Sequence, residues 1–185
     1  MTLNPLPQLI LVTGPARSGK SEWAEFLAAR SHRSVIYVAT AQTNSEDLEW
    51  QARIEQHRQR RPESWATWQV TIDLAQAIRA ATPTDCLLVD SLGTWLANLL
   101  DQDQTAWEKI LGEFLSSLQH RQSDVILVAE ETGWGVVPAY EIGRTFRDRL
   151  GTVTRHVGAI AHPVYLVTGG HVLNLSQLGR PLPRS

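Results

Sequence analysis

Apolar runs rich in β-branched residues recur along the chain, separated by stretches with helical spacing of apolar positions. Leu9-Ile10-Leu11-Val12-Thr13 has the unbroken apolar character of a strand covered on both faces. A helix is predicted from about Lys20 to Arg30, and Ser34 to Thr40 reads as a second buried strand. A further helix runs from about Glu46 to Arg60 and stops before Pro62. Trp65 to Val70 alternates enough for a short strand, and Asp73 to Ala81 reads as a short helix with Asp73 or Thr71 as its N-cap. Cys86 to Asp90 is an apolar strand ending in a carboxylate. Helices follow over Ser91–Leu100 and Thr105–His120, then a strand over Asp124–Ala129 and a glycine-containing loop over Glu130–Gly135. A long helical stretch covers about Ala139 to Ala161, ahead of a strand at Val164–Thr168. Gly169-Gly170 makes a turn, from which His171–Leu175 returns as an antiparallel edge, and Gly179–Ser185 reads as a frayed end.

Strands alternating with helices predict an α/β fold with a mostly parallel, doubly covered sheet. No linker or internal repeat divides the chain, so residues 1–185 are expected to form one domain. Ligands of such sheets bind beyond the C-terminal ends of the strands. That rule places the residues around Gly14, Thr40, Asp90 and the Glu130–Gly135 loop along one rim.

Composition narrows the classes. A hydrophobic fraction of 43%, a charged fraction of 19% and a net charge of −2 describe a globular chain with no pull toward nucleic acid or a membrane surface. The single cysteine, Cys86, lies in an apolar run and excludes an internal disulfide framework or a cysteine-rich zinc site. Met1 to Pro7 carries neither a basic region nor a long apolar stretch, so neither a signal peptide nor a membrane span is expected, and the cytoplasm is the expected compartment.

The chemistry concentrates in Gly14-Pro15-Ala16-Arg17-Ser18-Gly19-Lys20-Ser21, a G-x-x-x-x-G-K-S motif between a strand and a helix. In that setting backbone N–H groups turn inward to cradle phosphates, and the helix dipole adds positive charge at the same point. Lys20 is expected at the β- and γ-phosphates of a bound ATP or GTP, and the Ser21 hydroxyl on Mg²⁺. Asp90, after four apolar strand residues, fits a carboxylate that holds Mg²⁺ directly or through water; the competing reading makes it a cap for the next helix. His57 stands among arginines in Arg53-Ile54-Glu55-Gln56-His57-Arg58-Gln59-Arg60-Arg61-Pro62. On residue type alone this is either a solvated basic helix or a set of guanidinium groups for phosphate oxygens. Trp23 and Trp95 are expected in the core, and Trp134 either stacks on a flat ligand or covers the base of its own loop.

Together these segments resemble one family, the bifunctional adenosylcobinamide kinase/adenosylcobinamide-phosphate guanylyltransferases of cobalamin biosynthesis. The likeness runs through the Gly14–Ser21 loop, Val35–Ala41, Arg53-Ile54 with His57-Arg58, Arg61-Pro62 and Trp65, Gly133-Trp134-Gly135-Val136-Val137-Pro138, and Phe146-Arg147-Asp148 with Gly151. The resemblance implies a RecA-like sheet, phosphorylation of the corrinoid side-chain hydroxyl, and GMP transfer from GTP through a covalent histidine at His57. It implies a homotrimer with sites between subunits. The nucleotide-binding residues expected are Gly14 to Ser21, Thr40, Arg58, Arg61 and Asp90. Glu130, Thr154-Arg155, His162-Pro163 and Pro15 depart from residues common in that family. Two other readings stay open at the level of sequence: a phosphate-loop small-molecule kinase without nucleotidyl transfer, and a non-catalytic nucleotide sensor.

Overall fold

The computed structural model describes residues 6–42 and 59–182. Its centre is a seven-stranded sheet in the order β3-β2-β4-β5-β1-β6-β7. The strands are β1 (Leu9–Gly14), β2 (Ser34–Ala39), β3 (Ala66–Gln69), β4 (Asp85–Asp90), β5 (Asp124–Glu130), β6 (Val164–Thr168) and β7 (His171–Asn174). All pairings are parallel except β6 with β7, which is antiparallel. The helices are α1 (Lys20–Ala29), α2 (Leu74–Ala80), α3 (Leu92–Ala97), α4 (Gln104–Gln119), α5 (Glu141–Gly158) and the single turn α6 (Leu175–Leu178). The predicted α/β architecture with an antiparallel edge is therefore the observed one. The helix predicted over Glu46–Arg60 lies mostly outside the described residues.

Strand parity builds two separate cores. On one face Leu9, Leu11, Val38, Leu87, Val89, Val125 and Leu127 meet residues of α2 to α5. On the other, Ile10, Val12, Val35, Tyr37, Cys86, Leu88, Ile126 and Val128 meet α1, which contributes Ala24 and Ala28. Two alanines on that helix let it approach the sheet closely, directly behind the loop that precedes it. Because β1, β4 and β5 are buried on both faces, their backbones are rigid platforms for whatever stands at their C-terminal ends.

Helix boundaries follow local chemistry. Asp73 caps α2 by accepting from the Gln76 amide at 2.8 Å, and Asp103 caps α4 by accepting from Ala106 at 2.8 Å. The stretch predicted as helix from Ala139 begins instead at Glu141, and Arg144 donates back to the Pro138 and Ala139 carbonyls, tying the entering loop to the helix. Arg149 reaches the Leu99 and Gln102 carbonyls at 3.1 and 2.7 Å and lies over the Trp107 ring, clamping α5 to the α3–α4 turn. Cys86 is buried, and burial pushes its thiol up to about 11, as suits a core residue rather than a nucleophile.

Trp95 is fully buried against Phe114 and Trp107, and its indole N–H donates to the Ile72 carbonyl at 2.7 Å. Replacing it leaves a large cavity and an unpaired carbonyl, so Trp95→Ala should lower unfolding free energy by about 3–5 kcal/mol. Gly112 sits within α4 with open space where a Cβ would be, so Gly112→Ala should raise stability by about 0.5–1 kcal/mol. Chemical denaturation of the two variants beside the parent protein checks both signs.

Candidate active site

β1 ends at Gly14, which pairs in register with Glu130 at the end of β5. A side chain at Gly14 would overlap the Val167 carbonyl and the Ser18 hydroxyl, so glycine lets the loop fold tightly against β6. Gly19, with φ of 92°, supplies the left-handed step before α1 begins. Arg17 takes a left-handed φ of 58° as well, and the two together curl the loop into a cradle. Lys20 is buried and crosses the loop, its Nζ donating to the Pro15 carbonyl at 3.4 Å. The loop thus sets the Lys20 cation at the N-terminus of α1, where a helix leaves its first backbone amides unpaired, a site for a polyanion.

Ser21, in the first turn of α1, turns its hydroxyl toward β4. Its Oγ donates to Asp90 Oδ1 at 3.3 Å. Asp90 does not cap the following helix. That role falls to Ser91, whose Oγ accepts from the Thr94 amide while Thr94 Oγ1 accepts from the Ser91 amide. The competing reading of Asp90 is therefore replaced by a carboxylate beside the phosphate loop. A hydroxyl and a carboxylate oxygen side by side are hard donors that suit Mg²⁺, which completes its shell with phosphate oxygens and water. Among the described residues no group of three or more His, Cys, Asp or Glu gathers into a metal cluster. A cation shared with phosphates does not need one.

Glu130 approaches the same corner. Its Oε2 accepts from the Gly93 amide at 3.0 Å, and a Cβ at position 93 would overlap that carboxylate. Burial pushes its carboxyl above the usual range, opposed by its bond to Ser91 and by the Lys20 charge. Glu131 accepts from Thr13 Oγ1 at 2.6 Å, tying the loop after β5 to the end of β1.

The rim holds most, not all, of the residues expected on it. Gly14 to Ser21 and Asp90 come together. Thr40 is fully buried, with its hydroxyl bonded to Ser91 and Thr94, so it braces the Asp90 turn from beneath and is not presented to a ligand. Arg61 stacks its guanidinium over the Tyr37 ring, 3.5 Å from the ring centre. Arg60 pairs with Glu22 at 2.6 Å and Glu25 at 3.5 Å, both on α1. Arg60 and Arg61, the described end of that segment, are thereby anchored on α1 and β2. His57 and Arg58 lie outside the described residues. Trp134 is 66% exposed, so it does not cover the base of its loop. A separate cleft of about 690 Å³, lined in part by Leu115, Arg155, His162 and Arg180, opens near the N-terminal end of β6, with no phosphate-loop residue in its wall.

Tyr37 and Gly93 were not expected at this corner, whereas Glu130 was expected on the rim as the start of the Glu130–Gly135 loop. A phenol within an otherwise apolar strand was the available signal for Tyr37. Its partner became visible only with the pairing of β2 on β4.

Comparison with known proteins agrees with this geometry. The family described as "Cobinamide kinase / cobinamide phosphate guanyltransferase" matches residues 10–175. The bifunctional adenosylcobalamin biosynthesis protein CobP of Pseudomonas aeruginosa is 40% identical over 176 residues, covering 93% of this chain and 98% of the relative. The bifunctional adenosylcobalamin biosynthesis protein CobU of Escherichia coli is 38% identical over 177 residues, covering 88% of this chain and 96% of the relative. Among solved structures, an ATPase of a type III secretion system aligns with a TM-score of 0.51 at 9% identity, over 92% of this chain and 53% of that one, a likeness of fold alone. Sheet, loop and family match make this a phosphate-loop NTPase fold, and the chain belongs to the cobinamide kinase / cobinamide phosphate guanyltransferase family.

Proposed function

We propose that this chain carries out both reactions of its family on a corrinoid substrate, using one triphosphate cradle for the two. The observation that carries the reading is the apposition of Ser21 and Asp90 at 3.3 Å beside the Gly14–Ser21 loop. In the first reaction the terminal hydroxyl of adenosylcobinamide attacks the γ-phosphorus of ATP or GTP. The oxygen–γ-phosphorus bond forms, the bond from the γ-phosphorus to the bridging oxygen breaks, and the nucleoside diphosphate leaves with that oxygen. In the second, a neutral imidazole nitrogen of His57 attacks the α-phosphorus of GTP and pyrophosphate leaves. A phosphate oxygen of the phosphorylated corrinoid then displaces the histidine, giving adenosylcobinamide-GDP. Splitting the transfer through a covalent nucleotide replaces one difficult displacement with two easier ones.

The residues divide this work. The loop amides and Lys20 hold the triphosphate and oppose the charge that develops on the leaving phosphates. Ser21 and Asp90 would hold Mg²⁺, which supplies neutralisation of phosphate charge when bound. Arg58 is a further candidate for the phosphates. Arg61 acts through its stack on Tyr37. The family match includes the position of His57, and Arg60 and Arg61 anchor the end of that segment against α1 and β2. Residues 1–185 act as a single nucleotide-binding domain in this reading, assembled as a homotrimer and working in the cytoplasm. No helix among the described residues is long and apolar enough to cross a membrane.

Two labels separate the reactions. Parent protein incubated with α-labelled GTP should retain acid-labile label, and with γ-labelled nucleotide should phosphorylate cobinamide. His57→Ala should lose the retained label and all guanylyl transfer while corrinoid phosphorylation continues within a few-fold of the parent rate. Retained label in that variant places the nucleophile elsewhere, and a parent protein that phosphorylates but never labels is a kinase alone.

Lys20→Ala should lose both activities by a hundredfold or more, since removing one oriented charge donor costs about 3 kcal/mol of transition-state stabilisation. Wild-type rates for either reaction in that variant contradict a shared cradle.

A further inference from the structure

Both carboxylate oxygens of Asp90 are engaged. Oδ1 accepts from Ser21 Oγ and Oδ2 accepts from the Tyr37 hydroxyl, each at 3.3 Å. Tyr37 stands two residues before Ala39, the register partner of Asp90 on β2, so it shares the face of the strand that points at this corner. The ring is buried among the apolar residues packed against α1. A phenol keeps its proton at neutral pH, so the hydroxyl faces the carboxylate as a donor. Arg61 covers the ring, its guanidinium 3.5 Å from the ring centre.

We propose that Tyr37 is a positioning residue for the carboxylate of Asp90, and that Arg61 acts on the same carboxylate through its stack on the phenol. The inference rests on the reading of Ser21 and Asp90 as the Mg²⁺ ligands. A carboxylate on β4 is free to turn about its Cβ–Cγ bond. The Tyr37 hydroxyl holds one oxygen from the β2 side and leaves the other turned toward Ser21. Arg61 bears on the ring, and its planar cation is suited to a face-on stack in a way that lysine is not. Arg61 belongs to the segment that follows His57 in sequence, so the stack joins the nucleotidyl-transfer segment to the corner used by both reactions.

Tyr37→Phe keeps the ring, the volume and the stack and removes only the hydroxyl. Mn²⁺ serves as a paramagnetic stand-in for Mg²⁺, titrated into full-length protein with a non-hydrolysable GTP analogue and followed by the signal of free Mn²⁺. Hydrogen bonds to a charged group are the stronger class, so the Mn²⁺ dissociation constant should rise roughly three- to tenfold. Analogue affinity in chelator and the thermal midpoint should stay at parent values. The Mg²⁺ concentration for half-maximal rate should rise by the same factor in both reactions. Arg61→Met should raise the Mn²⁺ constant less, and should add nothing in the Tyr37→Phe background. An unchanged Mn²⁺ constant in Tyr37→Phe, when Asp90→Asn weakens binding, overturns the proposal and leaves the metal reading standing. Unchanged binding in Asp90→Asn overturns both. An Arg61→Met effect of equal size with and without the Tyr37 hydroxyl shows that the arginine acts by another route and overturns the coupling.

Discussion

A triphosphate brings dense negative charge, and on the proposed reading it is met chiefly by backbone N–H groups held at the end of a strand packed on both faces. That constraint organises the rest. The Gly14–Ser21 loop works only if β1 is fixed, and β1 is fixed because β5 and β6 flank it and both its faces are buried. The alanine face of α1 brings the positive end of that helix close behind the loop. Gly14 admits the β6 backbone so closely that a side chain there would collide with Val167. Loop, helix and neighbouring strands form one packed unit whose outward product is an anion site.

Asp90 is the second organising point. A negative group next to an anion cradle repels the ligand unless a cation stands between them, and the surroundings of Asp90 fit that requirement. Ser21 and Tyr37 address its two oxygens, Ser91 and Thr94 relieve it of any capping duty, and Thr40 braces the turn that follows. Glu130, lodged against the Gly93 amide, holds the start of α3 in place. Arg60 and Arg61 draw the end of the histidine segment onto α1 and β2. On the proposed reading one rim serves two phosphorus reactions: the charges that hold the nucleotide are common, while the nucleophile and the phosphorus it attacks differ.

Much of this was legible in sequence for local reasons. The phosphate loop is a short motif whose strand, spacing and helix are contiguous, so Lys20 and Ser21 were readable without tertiary information. The apolar strand ending in Asp90, and the Gly169-Gly170 turn that sets β7 antiparallel, were readable for the same reason. The choice between metal ligand and helix cap at Asp90 was not, because it depends on whether Ser91 takes the cap, a matter of side-chain geometry. Thr40 was expected at the nucleotide from its place at a strand end, and Arg61 from the family resemblance of its segment. The contacts Thr40 makes with Ser91 and Arg61 makes with Tyr37 come from other parts of the chain, so they could not be read from local sequence. The turn α6 is too short to show a period, and the start of α5 is set by arginine bonds back to the loop rather than by a capping residue.

One cradle is proposed to serve both transfers. This is tested most directly with a GTP analogue carrying methylene groups in both bridging positions, which can transfer neither phosphoryl nor guanylyl. Its inhibition constant against GTP should be measured once for corrinoid phosphorylation and once for protein labelling from α-labelled GTP. A shared cradle predicts competitive inhibition in both assays with constants equal within about twofold. Constants differing by about tenfold or more, or competition in only one assay, would mean two separate triphosphate sites.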